Sequence, residues 1–193
     1  MQIALEIGHG WLLSYKNGVK RKYFARGASG ADDCYEYEVC LRMGRYCKQI
    51  LEKMGHDVDL IFVPATIFGR GELAAGYDIF VSLHLNAFDK QGQGTETFVR
   101  ADAREADISL ANILQRRITE NLGLANRGVR KRNLSVLRGV PNSVKAACLV
   151  ESFFIDSVLK RSRVLKMADS SAESIAEGIN EFCKREDVRQ CDL

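Results

Sequence analysis

Asp78-Ile79-Phe80-Val81-Ser82-Leu83-His84-Leu85-Asn86-Ala87 reads as a buried strand that ends in a histidine. Ile79, Phe80, Val81, Leu83 and Leu85 form an apolar run broken only by a small serine and the histidine. A run of this length, opened by Gly76-Tyr77-Asp78, fits a strand covered on both faces. Ser82, His84 and Asn86 alternate, so they project from one face near the strand's end. An open α/β sheet places its site there, outside the carboxyl ends of the strands. Taken alone, His84 has an ordinary reading as a hydrogen-bonded core residue.

The neighbouring segments fix the class. Residues 2–7 read as a first strand that runs into Gly8-His9-Gly10, a histidine between two glycines. Residues 57–63 form a second strand, and residues 66–76 a short helix or loop leading to the 78–85 strand. Residues 89–94 make a turn, and Thr95 to Arg100 alternates as another strand. Lys145 to Val150 is a further buried strand that runs into Glu151. Between these lie helical patterns. From Tyr35 to Met54, Val39, Met43, Cys47, Ile50, Leu51 and Met54 recur on one face. Asp32 and Asp33 are candidate N-caps, and Gly55 is a stop. Residues 102–122, 157–167 and 171–184 are also helical, whereas Leu134 to Leu137 reads as a short strand. Residues 11–34 and 127–132 read as basic loops, and His56 as a surface residue. Strands alternating with helices predict an α/β fold, a single twisted, mostly parallel sheet flanked by helices on both faces.

The chain has 193 residues, enough for one ordinary domain with a real core. Only Pro64 and Pro141 occur, and no linker-like stretch separates modules. The expectation is a single domain over 1–193. A net charge of +3 is too small to argue for nucleic acid. No stretch approaches the roughly 18 apolar residues of a membrane span, so no stable membrane insertion is expected. The N-terminus lacks the charged and apolar regions of a signal peptide. That points to synthesis in the cytoplasm, and an outside role would need separate release. None of the six cysteines form a C-x-x-C pair. Cys40 and Cys47, seven apart, read as small core residues, and Cys183 with Cys191 can pair only under oxidation.

Three buried strands thus end in His9, His84 and Glu151, and one helix start offers Glu36 or Glu38. Two imidazoles and a carboxylate form a ligand set for catalytic zinc, with a further position open to water. The remaining glutamate would act as general base. No H-E-x-x-H helix is present. Ligands this widely spaced leave several zinc amidohydrolases or carboxypeptidases open, as well as a metal-free binding module on the same fold.

The ordered motifs resemble the zinc-dependent N-acetylmuramoyl-L-alanine amidases of the amidase-3 type. They are Ile7-Gly8-His9-Gly10, then Glu36 opening a helix that ends Ile50-Leu51-Glu52-Lys53-Met54-Gly55. Ser82-Leu83-His84-Leu85-Asn86-Ala87 and Arg127-Gly128 follow, then Val136-Leu137-Arg138 and Leu149-Val150-Glu151-Ser152-Phe153-Phe154. The versions around His84 and Glu151 are similar to catalytic domains of phage endolysins. That implies one catalytic domain over 1–193 without a separate wall-binding domain, with a metal-free wall-binding module as the alternative of another class. The resemblance implies His9, Glu36 and His84 as zinc ligands and Glu151 as the catalytic carboxylate. It prefers Glu36 over Glu38 by its distance to Gly55. It implies peptidoglycan as substrate, hydrolysis of the amide between N-acetylmuramic acid and L-alanine, and action on the cell wall after release. Asn86 and Arg138 are candidates for orienting the site. The sequence departs from the family where Glu6-Ile7 replaces Asp-Pro, and where Ser152-Phe153 replaces glycines.

Overall fold

A computed structural model describes residues 1–158 and 160–191, with side chains in the last helix described through residue 186. Six strands make the main sheet: β1 (Gln2–Ile7), β4 (Asp57–Ile61), β5 (Ile79–Asn86), β6 (Thr95–Val99), β7 (Asn126–Lys131) and β8 (Ala146–Phe154). Their order is β4-β1-β5-β8-β6-β7. The first four run parallel, β6 is antiparallel to β8, and β7 is parallel to β6. The mostly parallel α/β sheet expected from the sequence is the one observed.

Strand pleating sorts the core into two layers. Ile3, Leu5 and Ile7 of β1, with Val81, Leu83, Cys148 and Val150, face a large cluster. That cluster is closed by α1 (Glu36–Lys53), α3 (Glu105–Leu122) and α5 (Arg161–Cys191). Cys40 and Cys47 lie in it as buried hydrophobes, and burial pushes both thiols up. Ala4, Phe80, Ala147, Leu149 and Phe98 face the opposite way into a smaller cluster. The short helices α2 (Ile67–Glu72) and α4 (Ser135–Gly139) cover that face. On it, beyond the apolar residues, the same alternation puts Glu6, Ser82, His84 and Glu151 toward the carboxyl ends of their strands.

Six local expectations are corrected. Residues 11–34 are not one long loop, because β2 (Gly10–Lys16) and β3 (Val19–Ala25) form a separate antiparallel ribbon. Its turn is Asn17-Gly18, with φ of 51° and 75°. Two consecutive positive φ values are what a tight hairpin requires, and an Asn-Gly pair supplies them at little cost. The basic 127–132 segment is mostly strand β7 at the sheet's edge, a position where charged side chains stay solvated. Residues 135–139 are helical, not extended, since so short an apolar run does not distinguish the two periods. The two C-terminal helices are one. No proline or glycine interrupts 167–171, Ser174 Oγ donates back to the Ser170 carbonyl, and Val164, Ala168, Ala172, Ile175 and Ile179 make one continuous buried stripe. Asp32 and Asp33 do not cap α1. Both adopt positive φ in the turn before it, and Tyr35 is the N-cap without a side-chain bond. Gly55 does follow the α1 terminus, at φ 87°. His56 is half-buried and bonds Asn180 at 3.1 Å, so it is not a free surface residue. The Cys191 side chain falls outside the described residues, and with it the Cys183–Cys191 pairing. Among the described residues no helix is long and apolar enough to cross a membrane.

The α2–α4 cover depends on close backbone approach. A Cβ on Gly71 would lie 2.0 Å from the Val136 carbonyl oxygen. Gly71→Ala is therefore expected to lower stability by about 1–3 kcal/mol, although alanine favours a helix over glycine. Urea unfolding at equilibrium checks this. Unchanged or increased stability would contradict the packing described.

Candidate metal centre and catalytic carboxylate

Because β1, β5 and β8 are neighbours, their carboxyl ends bring His9, His84 and Glu151 to one place. His84 and Glu151 are in direct register across β5 and β8. Glu36 reaches the same place from the first turn of α1. Its carboxylate lies between the two imidazoles, with His9 Nε2 at 2.9 Å from Oε2 and His84 Nδ1 at 2.9 Å from Oε1. Two backbone amides aim it further. Ala28 N–H donates to Oε2 at 2.9 Å and Leu85 N–H to Oε1 at 3.1 Å. One ligand atom from each of the three residues lies within 4.8 Å of the others. Glu38 is exposed two residues away.

The backbone is shaped for this crowding. His9 sits at φ 66°, a conformation non-glycine residues seldom adopt. A Cβ on Gly8 would meet His84 Cε1 at 2.5 Å, and one on Gly27 would meet Glu36 Oε2 at 2.5 Å. Arg70 braces the turn. It is 1% exposed and donates to the carbonyls of Ile7 at 2.7 Å and Trp11 at 2.9 Å, either side of Gly8-His9-Gly10.

Arg70 also answers the question raised by Glu6. Glu6 is buried and pairs with Arg70 at 2.8 Å, while its other oxygen accepts from Ser82 Oγ at 2.6 Å. That second oxygen lies 4.0 Å from His84 Nε2. Glu6 therefore faces His84 directly, and a buried carboxylate is tolerated because it is paired with Arg70 and hydrogen-bonded by Ser82. Asn86 donates to Glu96 Oε1 at 2.5 Å, and Arg127 and Arg130 approach the other oxygen at 3.2 and 3.4 Å. Glu96 is itself in register with Glu151. Arg138 is exposed on α4. Sequence reading passed over Arg70, Glu96 and Arg130. The signal for Glu96 was a charge inside a strand-like alternation; for Arg70 there was none.

Electrostatics separates the carboxylates. Burial opposes ionisation of Glu36, but hydrogen bonds from His84 and His9 outweigh it and hold the carboxyl well below its usual range. Burial would lower His84, yet the Glu36 bond and the charges of Glu36, Glu151 and Glu6 raise it to about 9. Burial raises Glu151 to about 7, with the Glu36 and Glu96 charges adding to it against His84 and Arg132. Glu151 Oε2 is buried without a hydrogen-bond partner among the described residues. Two imidazoles and one carboxylate match the ligand chemistry of catalytic zinc, and a buried carboxyl titrating near 7 beside them suits proton transfer. The donor set fits a metal of that kind.

The pH dependence of the metal-free protein follows. The folded pKa of His84 lies above its ordinary 6.5, so its pairing stabilises below that pH and is lost as pH rises through about 9. Glu151 acts in the same sense, its burial penalty developing from about 4.5 through about 7. Glu36 contributes above about 4.5 and loses its contribution only in acid. Calorimetry after chelation is therefore expected to show a melting temperature that falls from pH 5.5 to about pH 9. A rise over that interval would contradict the assignment.

Residues 3–181 match the family model described as N-acetylmuramoyl-L-alanine amidase. The endolysin of Bacillus phage SPP1 is 31% identical over 170 residues, which is 79% of this chain and 61% of the endolysin. The chain thus spans about three fifths of that relative's length. An N-acetylmuramoyl-L-alanine amidase from Clostridium difficile 630 shares the fold at a TM-score of 0.78 and 24% identity, over 95% of this chain and 96% of that one. The catalytic domain of an endolysin targeting Clostridia difficile superposes at 0.72 with 25% identity, over 94% and 97% of the two chains.

Proposed function

The chain belongs to the N-acetylmuramoyl-L-alanine amidase family, and we propose on that footing that it hydrolyses the amide between the lactyl group of N-acetylmuramic acid and L-alanine in peptidoglycan. The observation that carries this reading is the convergence of His9, Glu36 and His84 within 4.8 Å beside Glu151. His9, Glu36 and His84 would hold zinc. The chemistry zinc supplies in such a set is Lewis acidity toward a carbonyl oxygen and toward water.

The chain's own groups do the rest. Glu36 would supply the negative charge of the ligand set, held in place by the backbone amides of Ala28 and Leu85. Glu6, itself held by Ser82, faces the Nε2 side of His84, and Arg70 holds the turn that carries His9. Glu151 takes a proton from the attacking water and later delivers it to the nitrogen of L-alanine as the carbon–nitrogen bond breaks. The water oxygen becomes part of the lactyl carboxylate, and alanine leaves with a free amine. A carboxyl whose proton affinity is raised by burial can serve as base and then as acid. By likeness to the phage relatives, the setting is lysis of a bacterial wall from an endolysin released at the end of phage growth.

Incubation with purified peptidoglycan tests this. New N-terminal alanine is expected, abolished by chelation and restored by zinc. Glu151→Gln is expected to lower kcat by roughly 10²–10⁴-fold while zinc content is retained. Release of single amino acids, or full activity in Glu151→Gln, would contradict the reading.

A further inference from the structure

The β2–β3 ribbon carries a surface that the proposed chemistry does not use. Cross-strand pairing sets Trp11 opposite Phe24, Leu13 opposite Lys22 and Tyr15 opposite Lys20. Paired residues share a face and alternate along a strand, so these six line one side of the ribbon. On the other side Leu12 is buried while Tyr23 and Val19 are 43% and 58% exposed, and the β2 edge is tied to the body where Leu13 N–H donates to the Ala65 carbonyl at 2.9 Å. The outer side stays open. Trp11 is 45% exposed, Tyr15 62% and Phe24 42%. A two-stranded ribbon is marginally stable by itself, and exposed aromatic rings on one mark a contact surface.

The charge is equally uneven. Residues 10–26 hold Lys16, Lys20, Arg21, Lys22 and Arg26 and no carboxylate. The whole chain carries +3, so with +5 over residues 10–26 the remainder sums to −2. The ribbon is thus a basic stretch free of carboxylates, as are residues 127–132, which lie mostly on β7.

Its position ties it to the site. β2 starts at the residue after His9. Trp11 packs edge-on to Phe24 at 5.3 Å, and Phe24 to Tyr37 at 5.2 Å. Tyr37 follows Glu36 directly. Lys22 Nζ lies 4.7 Å from the Trp11 ring centroid. An aromatic file lined with ammonium groups therefore leads away from the ligand cluster.

We propose that the outer face of this ribbon binds the anionic glycan–peptide strand next to the scissile amide. Aromatic rings stack on the apolar faces of sugar rings, and Lys20 and Lys22 pair with the free carboxylates of stem peptides. Seven-residue strands reach about 23 Å, long enough for contact well beyond one sugar. The proposal rests on the amidase reading for the identity of the strand. A phosphate-rich wall polymer also carries negative charge, but it would not need a surface continuous with the ligand cluster.

The test is co-sedimentation of the zinc-loaded Glu151→Gln protein with peptidoglycan stripped of phosphate polymers. Binding is expected to persist on the stripped walls, and to fall roughly tenfold in a protein that also carries Lys20→Glu and Lys22→Glu. Lys20→Arg with Lys22→Arg should retain it, and Trp11→Ala with Tyr15→Ala should lose it. Binding by the parent protein should also weaken as salt rises from about 0.05 to about 0.5 M, which needs no ribbon variant to fold. Equal binding by the charge-reversed protein, salt-insensitive binding, or loss of binding on stripping would overturn the proposal. Sedimentation requires no turnover. Failure of the unsubstituted protein to release N-terminal alanine would count against the amidase reading and leave the binding result standing.

Discussion

The structure turns on one carboxylate held between two imidazoles. Glu36 is 3% exposed, and an ionised carboxylate so buried is costly unless every oxygen is answered. Here each oxygen receives one imidazole and one backbone amide. Meeting that demand requires β1 beside β5, α1 starting at their shared end, and the 27–28 turn folded over it. The sheet order, the start of α1 and the glycines beside the cluster are consequences of this geometry as much as its cause.

The two faces of the sheet divide the work. One is covered by three long helices and is almost wholly apolar, which supplies the stability. The other has only two short helices, and its strands change from apolar to polar toward their ends. Glu6, Ser82, His84, Glu151 and Glu96 occupy that polar end. Arg70, delivered by α2, is the counter-charge that lets Glu6 stay buried there and that fixes the His9 turn. Removing charge pairs of this kind leaves a partner stranded, so the cover helices serve the site as well as the core.

The larger part of the fold was legible because it rests on periodicity. The strands at 2–7, 78–85 and 145–150 and the helix at 35–54 have patterns long enough to read, and the glycine-flanked His9 and the His84 strand end pointed to the convergence now seen. What the sequence obscured has physical reasons. The Asn17-Gly18 turn was a readable hairpin signal lost among basic residues that look like a solvated loop. The α4 segment is too short for its period to register. The continuity of α5 is set by its packed stripe against α1 and α3, which a serine pair at 170–171 masks. Arg70 joins Glu6 across 64 residues, and no local pattern announces such a pair. Glu6 looked like a departure from a familiar motif. In three dimensions it has moved its support to His84.

The central claim is that His9, Glu36 and His84 form one metal site. Zinc-edge X-ray absorption on the protein loaded with one equivalent of zinc tests it most directly. The account predicts nitrogen and oxygen neighbours at about 2.0–2.2 Å, an imidazole signal from two rings, and loss of that spectrum in Glu36→Ala. Sulfur neighbours at about 2.3 Å, or an unchanged spectrum in Glu36→Ala, would contradict it.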